Sequence, residues 1–304
     1  MNGKSLLVIG GTGFIGLNFI QEALKRDFTI TNISLASDMT IKHKNLSHFK
    51  CNLLNLDELK EIISNKKFNY VVNFGTYINH SDFLSGGAKV LDVQVQGLIN
   101  ILLNINKESL VKFINIGSSD EYGINKSPQK ENMIVKPFSP YSLGKVLATQ
   151  FLEMAYKIEK IPTLTLRPFL VYGPHQKLDR FLPYIIQSCI NNKSFDCSEG
   201  TQIRDFCYVG DFIEAVFLGL ENNSINGDVL NIASGIPISI KEITLKVVNI
   251  IGKGNPNFGK FAIREDENMS LYADISKAKK LLKWMPQTSI EEGLQKTINH
   301  YKSL

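Results

Sequence analysis

The chain has 304 residues, of which 43% are hydrophobic and 21% are charged, and its formal net charge is +5. These values are ordinary for a soluble globular protein and allow one large α/β domain or two smaller ones. The basic residues are scattered, which argues against a nucleic-acid interface, and no apolar run approaches the length of a membrane span.

The first residues predict a strand rather than a signal segment. The four cysteines, at positions 51, 189, 197 and 207, have neither C-x-x-C spacing nor histidine-rich neighbours. We therefore expect a cytoplasmic protein with reduced thiols and no metal site.

Short apolar strands alternate with helical segments about six times over the first 170 residues. Apolar residues at helical spacing predict helices at 14–26, 56–64, 90–105 and 142–160. Apolar runs bounded by turn residues predict strands at 4–11, 28–34, 48–53, 68–75, 110–119 and 161–169. This alternation is typical of a parallel sheet covered by helices on both faces.

After Gly173 the alternation is lost. Helices are predicted at 180–190, 212–220, 243–252 and 289–301, and strands at 205–209 and 228–233. The fold class expected is a doubly wound parallel sheet (Rossmann) with a smaller C-terminal α/β substrate lobe. We assign residues 1–170, with 206–235 returning to them, to a dinucleotide-binding domain, and residues 171–205 and 236–304 to the lobe.

Gly10, Gly13 and Gly16 form a G-x-x-G-x-x-G pattern between the first predicted strand and the first helix. With 22 glycines in 304 residues, chance predicts about 0.1 occurrences of this spacing. A turn without Cβ atoms and a helix N-terminus with free N–H groups suit a pyrophosphate. The alternative is a packing turn that holds no ligand.

The end of the second strand is where dinucleotide folds contact the adenosine ribose. An acid there binds the 2′-hydroxyl and repels a 2′-phosphate. Here Ser34 falls near the place of the acid, Asp38 follows four residues later, and Lys42 and Lys44 lie beyond. A serine neither requires NAD nor excludes NADP, so the sequence leaves NAD(H) and NADP(H) open, with a slight preference for NADP(H).

Tyrosine precedes lysine by four residues more often than chance predicts. About one Y-x-x-x-K pair is expected in this chain. It contains Tyr122/Lys126, Tyr141/Lys145 and Tyr156/Lys160. The first pair lies in a loop rich in turn residues, and the last lies at a helix end, where a solvated role is expected.

Tyr141 and Lys145 follow a Ser-Pro helix start, so a helix places them on one face, one turn apart. Ser118 and Ser119 end the preceding strand, at the sheet edge where cofactors bind. A free tyrosine, with a pKa of about 10, is a poor base, and a nearby ammonium lowers that pKa. Ser118, Tyr141 and Lys145 therefore form a candidate set for proton transfer beside a hydride carrier.

Six motifs in chain order resemble the extended short-chain dehydrogenase/reductase family over nearly the whole chain. They are GGTGFIG, GSSDEYG, PYSLGK, RPFLVYGP, QIRDFCYVGD and ADISKAKKLLKWMP. The resemblance implies an enzyme that acts on a nucleoside-diphosphate sugar with Ser118, Tyr141 and Lys145 as catalytic residues. It also implies a homodimer through a four-helix bundle formed by helices near 89–106 and 142–158.

The resemblance implies roles for further residues. Those with a cofactor-binding counterpart are Gly10, Gly13, Phe14, Ile15, Asn52, Leu53, Phe74, Gly75 and Tyr77. Arg204 and Arg264 correspond to positions that contact the phosphates or ribose of the sugar nucleotide. Only five of the 34 basic residues are arginines, and bidentate phosphate recognition favours arginine. The alternative for each arginine is a surface ion pair.

Two departures from the family pattern bear on the reaction. Leu170 stands where many members have an asparagine that helps to hold the diphosphate. Ser118-Ser119-Asp120 stands where dehydratases often have Thr-Asp-Glu, so Asp120 is a candidate base while Ser119 is a weak acid.

The sequence resembles most the 4-keto sugar reductases of the CDP-abequose synthase type, and we expect an NAD(P)-dependent oxidoreductase acting at carbon 4. The alternatives are a 4-epimerase or a 4,6-dehydratase with retained NAD. More remote is a non-catalytic dinucleotide-binding protein.

Overall fold

The computed structural model describes residues 4–77, 81–263 and 267–304. The chain divides into two compact units. The first comprises the chain up to Ile124 with Met133–Arg167 and Ala215–Leu230, and the second comprises Asn125–Asn132, Pro168–Glu214 and Asn231–Leu304. These bounds differ from the predicted ones chiefly at 125–132 and 206–214, and the functions assigned to the two domains stay a prediction.

Strands and helices are numbered along the chain. The strands are β1 Ser5–Ile9, β2 Thr29–Ser34, β3 Leu46–Lys50, β4 Tyr70–Asn73, β5 Lys112–Ile116, β6 Thr163–Pro168, β7 Leu170–Tyr172, β8 Ser194–Asp196, β9 Ile203–Tyr208, β10 Asp228–Ile232, β11 Pro237–Ser239, β12 Asn255–Asn257 and β13 Ser270–Leu271. The α-helices are α1 Phe14–Lys25, α2 Leu56–Ile63, α3 Ala88–Leu91, α4 Gly97–Asn104, α5 Pro140–Glu159, α6 Phe181–Ile190, α7 Val209–Glu221, α8 Ile240–Ile251, α9 Ser276–Leu281 and α10 Ile290–Lys302. Among the described residues, no helix is both long and apolar enough for a bilayer crossing.

The largest sheet confirms the predicted fold class. In the described residues it has seven strands in the order β10-β6-β5-β4-β1-β2-β3. The pairs from β6 to β3 are parallel. The order reverses between β1 and β4, and ligands of doubly wound sheets bind at such a switch point, outside the carboxyl ends of the strands.

The register of the parallel strands aligns the carboxyl ends of β1, β2 and β4, and those of β5 and β6. Ile9 of β1 lies beside Ile33 of β2 and Asn73 of β4. Ile116 of β5 lies beside Leu166 of β6. The residues that follow these strands therefore emerge at one edge of the sheet, beyond strands that are buried almost throughout. Strands buried on both faces read as continuous apolar runs, which is why the sequence predicted them.

The predicted helix at 90–105 is interrupted. It forms α3, a π-helical segment over Asp92–Gln96, and then α4. A π turn holds one more residue than an α turn and often occurs at functional sites. Apolar spacing cannot reveal it, since the apolar residues on either side keep helical periodicity. Gln94, inside this segment, is 5% exposed.

The second unit has its own sheet and core. Strand β9 pairs with β7, β11 and β13. Strand β8 pairs with β12. Helices α6, α8 and α10 contribute to an apolar core with β9. The strands of two or three residues in this unit were not predicted, because they are too short for a detectable periodicity.

Segment 125–132 belongs to the second unit because it forms hydrogen bonds with the backbone of residues 270–274. Gln129 N–H donates to the Tyr272 carbonyl at 2.9 Å, and Asp274 N–H donates to the Gln129 carbonyl at 2.9 Å. The Ser127 hydroxyl donates to the Ser270 carbonyl at 2.7 Å. These bonds join residues far apart in sequence, which composition alone does not reveal.

One face of α5 is apolar and exposed. Leu143, Leu147, Met154 and Ile158 are 38% to 74% exposed. Their spacing of 4, 7 and 4 residues places them on one stripe of the helix. Leu103 of α4 is also 67% exposed. These residues lie on the helices for which the dimer was predicted, and the homodimer stays a prediction.

We expect the double substitution Leu147→Glu/Met154→Glu to convert the predicted homodimer to a monomer, because it would bury two carboxylates in an apolar contact. Sedimentation equilibrium at micromolar concentration measures this. The matched control is Leu245→Glu, on α8, where the leucine is 40% exposed. A wild-type chain with the mass of a monomer, or a dimeric double variant, would contradict the predicted interface.

Lys112 is fully buried at the start of β5. Its ammonium donates to the Asn226 side-chain oxygen. Burial lowers the pKa of Lys112 to about 8, although the Asp228 carboxylate raises it. The folded protein therefore binds this proton less tightly than the unfolded chain does, so this contribution to stability increases as pH rises.

Between pH 8 and the ordinary lysine pKa of 10.5, the free energy of unfolding of the wild type should rise relative to that of Lys112→Met. Urea unfolding at half-unit steps of pH measures the difference. Lys157→Met, which removes an exposed lysine of α5, is the control and should leave the slope unchanged. A constant difference between wild type and Lys112→Met would show that the Lys112 pKa is not lowered.

Candidate functional site

The glycine turn lies at the switch point, between β1 and α1. Gly10 has a φ of +80°, and a Cβ there would lie 2.9 Å from the Gly75 nitrogen. At Gly16 a Cβ would lie 2.4 Å from the Gly10 carbonyl oxygen. Side chains at these positions would therefore open the turn.

Helix α1 begins at Phe14, with Gly13 as its N-cap and, in the described structure, no side chain capping it. Its first-turn N–H groups are thus available to a ligand, and the first turn carries no acidic residue. Ile15 lies in the same turn. Gly10, Gly13, Phe14 and Ile15 are therefore brought together around a helix N-terminus that suits an anion.

Ser34, the predicted ribose-side residue, ends β2 and is 8% exposed. Within the described part of the chain its hydroxyl has no hydrogen-bond partner. A buried hydroxyl normally has one, so this oxygen suits a ligand hydroxyl. The neighbouring Asn32 accepts a hydrogen bond from Gly11 N–H at 2.9 Å, which ties β2 to the glycine turn.

Asn52 and Leu53 follow β3. Asn52 is exposed, and its side-chain oxygen accepts a bond from Leu54 N–H at 3.1 Å. Leu53 is buried, and the Asn100 amide donates to its carbonyl at 2.8 Å. An exposed amide beside a buried leucine fits the cofactor-binding role that was predicted for these two residues.

The loop after β4 carries Phe74, Gly75 and Tyr77. The Phe74 ring packs on Phe19 at a centroid distance of 5.1 Å, so its side chain faces the core. Gly75 N–H donates to the Asn73 side chain at 3.0 Å. The Lys89 ammonium lies 5.7 Å from the centroid of the Tyr77 ring. The loop therefore offers mainly backbone and the Tyr77 ring to a ligand.

Thr76, in the same loop, was missed by the sequence reasoning. Its hydroxyl is hydrogen-bonded to the Tyr141 phenol and accepts a bond from the Gln94 amide at 3.4 Å. Gln94 comes from the π-helical segment. Nothing in the spacing links these three positions, because they lie on three separate elements.

Tyr141 is held in the first turn of α5. Ser139 caps this helix by accepting a bond from Ser142 N–H, and Pro140 occupies the first helical position. Tyr141 is 8% exposed, and its phenol oxygen is hydrogen-bonded to the hydroxyls of Ser118 and Thr76. The predicted pairing of Ser118 with Tyr141 is thus present in the geometry.

Lys145 lies one turn further along α5. Its ammonium donates to the Ile116 carbonyl at 2.7 Å, and the Nζ atom lies 5.9 Å from the centroid of the Tyr141 ring. Burial lowers the pKa of Lys145 to about 8, while the carboxylates of Glu121 and Asp120 raise it. Lys145 can thus hold a proton near neutral pH and release it in mild alkali.

Burial outweighs the lysine that was expected to lower the pKa of Tyr141. Burial raises the pKa of Tyr141, and the Asp120 carboxylate raises it further, while the bonds to Ser118 and Thr76 lower it. Burial dominates because the phenolate would lose its hydration. Burial therefore favours the phenol form of Tyr141, which can donate a proton.

Ser118 begins a short 3₁₀ helix over Ser119–Tyr122. Its hydroxyl accepts a bond from Asp120 N–H at 3.1 Å. Ser119 is 5% exposed, and Asp120 is half-buried. The loop therefore presents Ser118 to Tyr141 and keeps the Asp120 carboxylate close enough to act on the pKa of Tyr141.

The other two Y-x-x-x-K pairs lie in places where Tyr122 and Lys160 contribute to the structure of the fold. Tyr122 is fully buried and accepts a bond from Arg167 Nη1 at 3.1 Å. Lys160 ends α5 in the left-handed conformation, with its Nζ atom 5.9 Å from the centroid of the Tyr156 ring. Of the three lysines, Lys145 is the one buried beside a strand end of the large sheet.

The predicted substrate arginines lie in the second unit or outside the described residues. Arg204 is 8% exposed; it forms an ion pair with Glu267 and donates to the carbonyls of Ile203 and Asn268 at 2.8 Å each. Arg264 lies outside the described residues. Leu170, at the usual asparagine position, packs on the core of the second unit.

The first unit therefore holds two neighbouring sets of residues, one suited to binding a dinucleotide and one suited to proton transfer. A glycine turn, a helix N-terminus and the Ser34 hydroxyl fit a dinucleotide, and the Ser118–Tyr141–Lys145 group can move a proton beside it. In the described residues there is no cluster of three metal-ligating side chains.

The chain is similar to known nucleotide-sugar enzymes over its full length. It is 28% identical to a putative UDP-glucose 4-epimerase of Methanocaldococcus jannaschii over 98% of each chain. It is 28% identical to a UDP-glucuronate 4-epimerase of Thermodesulfobacterium geofontis over 97% of this chain and 95% of that protein.

Among solved structures, the fold is similar to that of a UDP-glucuronic acid 4-epimerase from Bacillus cereus, solved in complex with UDP-glucuronic acid and NAD. The TM-score is 0.86 and the identity 27%, over 98% of this chain and 99% of that chain. Residues 6–233, which include the glycine turn and the Ser118–Tyr141–Lys145 group, match one family of enzymes. The chain therefore belongs to the NAD dependent epimerase/dehydratase family.

Proposed function

We propose that this chain is a nucleotide-sugar 4-epimerase that keeps its NAD throughout the reaction. The observation that carries the proposal is the buried Tyr141 phenol, hydrogen-bonded to Ser118 and Thr76, one helical turn from Lys145. This group can both take a proton from a sugar hydroxyl and return it. Net redox chemistry is not required.

The sequence favoured a 4-keto reductase over an epimerase, and the relatives support the reverse. The two similar proteins and the similar structure are described as 4-epimerases. We therefore favour NAD over NADP, and a cofactor that is regenerated in each turnover over one that is exchanged.

A 4,6-dehydratase is less well supported by the residues beside Tyr141. Elimination of water across carbons 5 and 6 needs an acid and a base next to the sugar. Ser119 is a hydroxyl where an acid would be needed. Glu121, the next carboxylate along, is fully buried in an ion pair with Arg167. Asp120 alone could supply only the base.

When bound, NAD supplies a reversible acceptor for the hydride on carbon 4. For this step Tyr141 must first lose its own proton; as the hydride leaves, the phenolate takes the proton of the 4-hydroxyl. Ser118 donates a hydrogen bond to the same oxygen and fixes its direction. Lys145 supplies the positive charge one turn away that favours the phenolate. After the sugar has turned its other face, Tyr141 returns the proton to the 4-keto oxygen.

The remaining residues have proposed binding roles. Gly10, Gly13, Phe14 and Ile15 would hold the pyrophosphate. The adenosine and nicotinamide sides would be contacted by Ser34, Asn52, Leu53, Phe74, Gly75 and Tyr77, with Tyr141 and Lys145 at the nicotinamide ribose. Ser118 and Ser119 would contact the sugar, and Arg204 and Arg264 the nucleotide diphosphate. Arginine suits this last task because its guanidinium binds phosphate in a bidentate manner.

The decisive experiment is the identification of the nucleotide released on denaturation. We expect about one NAD per chain, detected by mass spectrometry, because the epimerase regenerates its cofactor. The purified protein should also interconvert UDP-sugars that differ at carbon 4 without added cofactor. Protein that releases no nucleotide and consumes NADPH with each turnover would be a reductase instead.

Tyr141→Phe should lower kcat by about 10²- to 10⁴-fold, since it removes the proton carrier. The variant should retain NAD, because the glycine turn is unchanged. The matched control is Tyr156→Phe, in the same helix, which should stay within about twofold of wild type because it lies outside the site. Wild-type kcat in Tyr141→Phe would exclude the proposed role.

A further inference from the structure

A buried carboxylate lies directly behind the catalytic serine. Glu121 is fully buried, and its Oε1 atom accepts a hydrogen bond from Ser118 N–H at 2.9 Å. Its Oε2 atom accepts two bonds from Arg167, from Nε at 2.9 Å and from Nη2 at 2.7 Å. One oxygen therefore fixes the backbone of Ser118 while the other is held by the guanidinium.

The backbone N–H and the side-chain hydroxyl of Ser118 are both held by hydrogen bonds. Its backbone nitrogen is bound by Glu121, and its hydroxyl oxygen accepts the bond from Asp120 N–H. The hydroxyl can then meet the Tyr141 phenol from one direction. Ser118 is held at φ −158° and ψ 148°, the extended conformation of an N-cap residue, and its side chain caps the 3₁₀ helix.

The strand end is fitted to this ion pair. At Gly117 a Cβ would lie 2.5 Å from Glu121 Oε1 and 3.1 Å from Arg167 Cγ. The preceding residue, Ile116, offers the carbonyl that binds Lys145. Ile116, which ends β5, and the two residues after it thus adjoin Lys145, the ion pair and Tyr141 in turn. A shift of this segment would move all three.

The stability of the fold alone does not account for the buried ion pair between Glu121 and Arg167. Two charges lose their hydration on burial, and apolar residues of similar size are often as stable or more stable in their place. The Arg167 guanidinium also lies 4.8 Å from the Tyr122 ring centroid, so the pair is packed tightly as well as bonded. Its geometric effect on Ser118 is what an apolar pair could not reproduce.

We propose that Glu121, held by Arg167, is a positioning residue that fixes Ser118 for proton transfer at Tyr141. This inference rests on the proposed function, since it gives Glu121 a task only if Ser118 and Tyr141 act on substrate. The Glu121 carboxylate also raises the pKa of both Lys145 and Tyr141, as expected for a negative charge near both.

Two double variants isolate the contact with Ser118. Both carry Arg167→Met, so neither leaves an unpaired buried charge. Glu121→Gln keeps an oxygen that can accept the Ser118 N–H, whereas Glu121→Leu does not. We expect the leucine variant to lose about 10- to 100-fold in kcat with KM little changed, as for a misplaced catalytic group. The glutamine variant should recover most of that loss.

Equal kcat in the two double variants, whether high or low, would overturn the proposal. The variants differ only in whether residue 121 has an oxygen that accepts the Ser118 N–H. If the leucine variant does not fold, Gly117→Ala serves instead. Its new Cβ displaces the Glu121 carboxylate while both charges remain. It should show the same fall in kcat at nearly constant KM, and wild-type kcat in this variant would equally contradict the role of Glu121.

Hydrogen exchange gives a readout that does not require activity. The Ser118 amide should exchange about tenfold faster in the leucine variant than in the glutamine variant, because its acceptor is lost. Equal exchange rates would refute the clamp on Ser118. If the wild type acts on no UDP-sugar, the proposed function fails, while the exchange rates still decide whether Glu121 fixes Ser118.

Discussion

The hydrogen bond from the Lys145 ammonium to the Ile116 carbonyl is the interaction on which the proposed catalytic arrangement depends. It joins the second turn of α5 to the last residue of β5. Tyr141 lies one turn before this contact, and Ser118 lies two residues after it. Because the ammonium is buried, the bond cannot be exchanged for water, so it fixes the helix against the sheet edge.

Electrostatics at this edge are set by burial more than by charge pairing. Burial lowers the pKa of Lys145 and raises that of Tyr141, so each group is pushed toward its neutral form. The two hydroxyl partners of Tyr141 act against burial, because their hydrogen bonds lower its pKa and favour the phenolate. The phenol form can donate a proton, and the phenolate form can accept one.

Much of the fold and of the candidate site could be predicted from the sequence, because the signals for them lie within short segments of the chain. Continuous apolar runs gave the strands of the large sheet, and the Ser-Pro start of α5 selected Tyr141/Lys145 among three pairs. Thr76, Gln94 and Glu121 were missed since their partners lie on other elements. The pKa of Tyr141 was predicted in the wrong direction, because burial depends on packing that the sequence does not display. The relatives support the 4-epimerase or 4,6-dehydratase alternative better than the expected 4-keto reductase; motifs shared by a whole family do not specify the sugar chemistry.

The π-helical segment over Asp92–Gln96 takes up one more residue than an α turn for nearly the same rotation. The apolar side chains of α3 and α4 therefore stay on one face of the helix on either side of the segment. Loss of one residue from it would restore an ordinary α-helix and leave the two apolar faces aligned. The extra residue instead acts on Gln94, inside the segment, whose amide donates to the Thr76 hydroxyl. A one-residue change in the length of this helix would thus be felt at the candidate site before it was felt in the core.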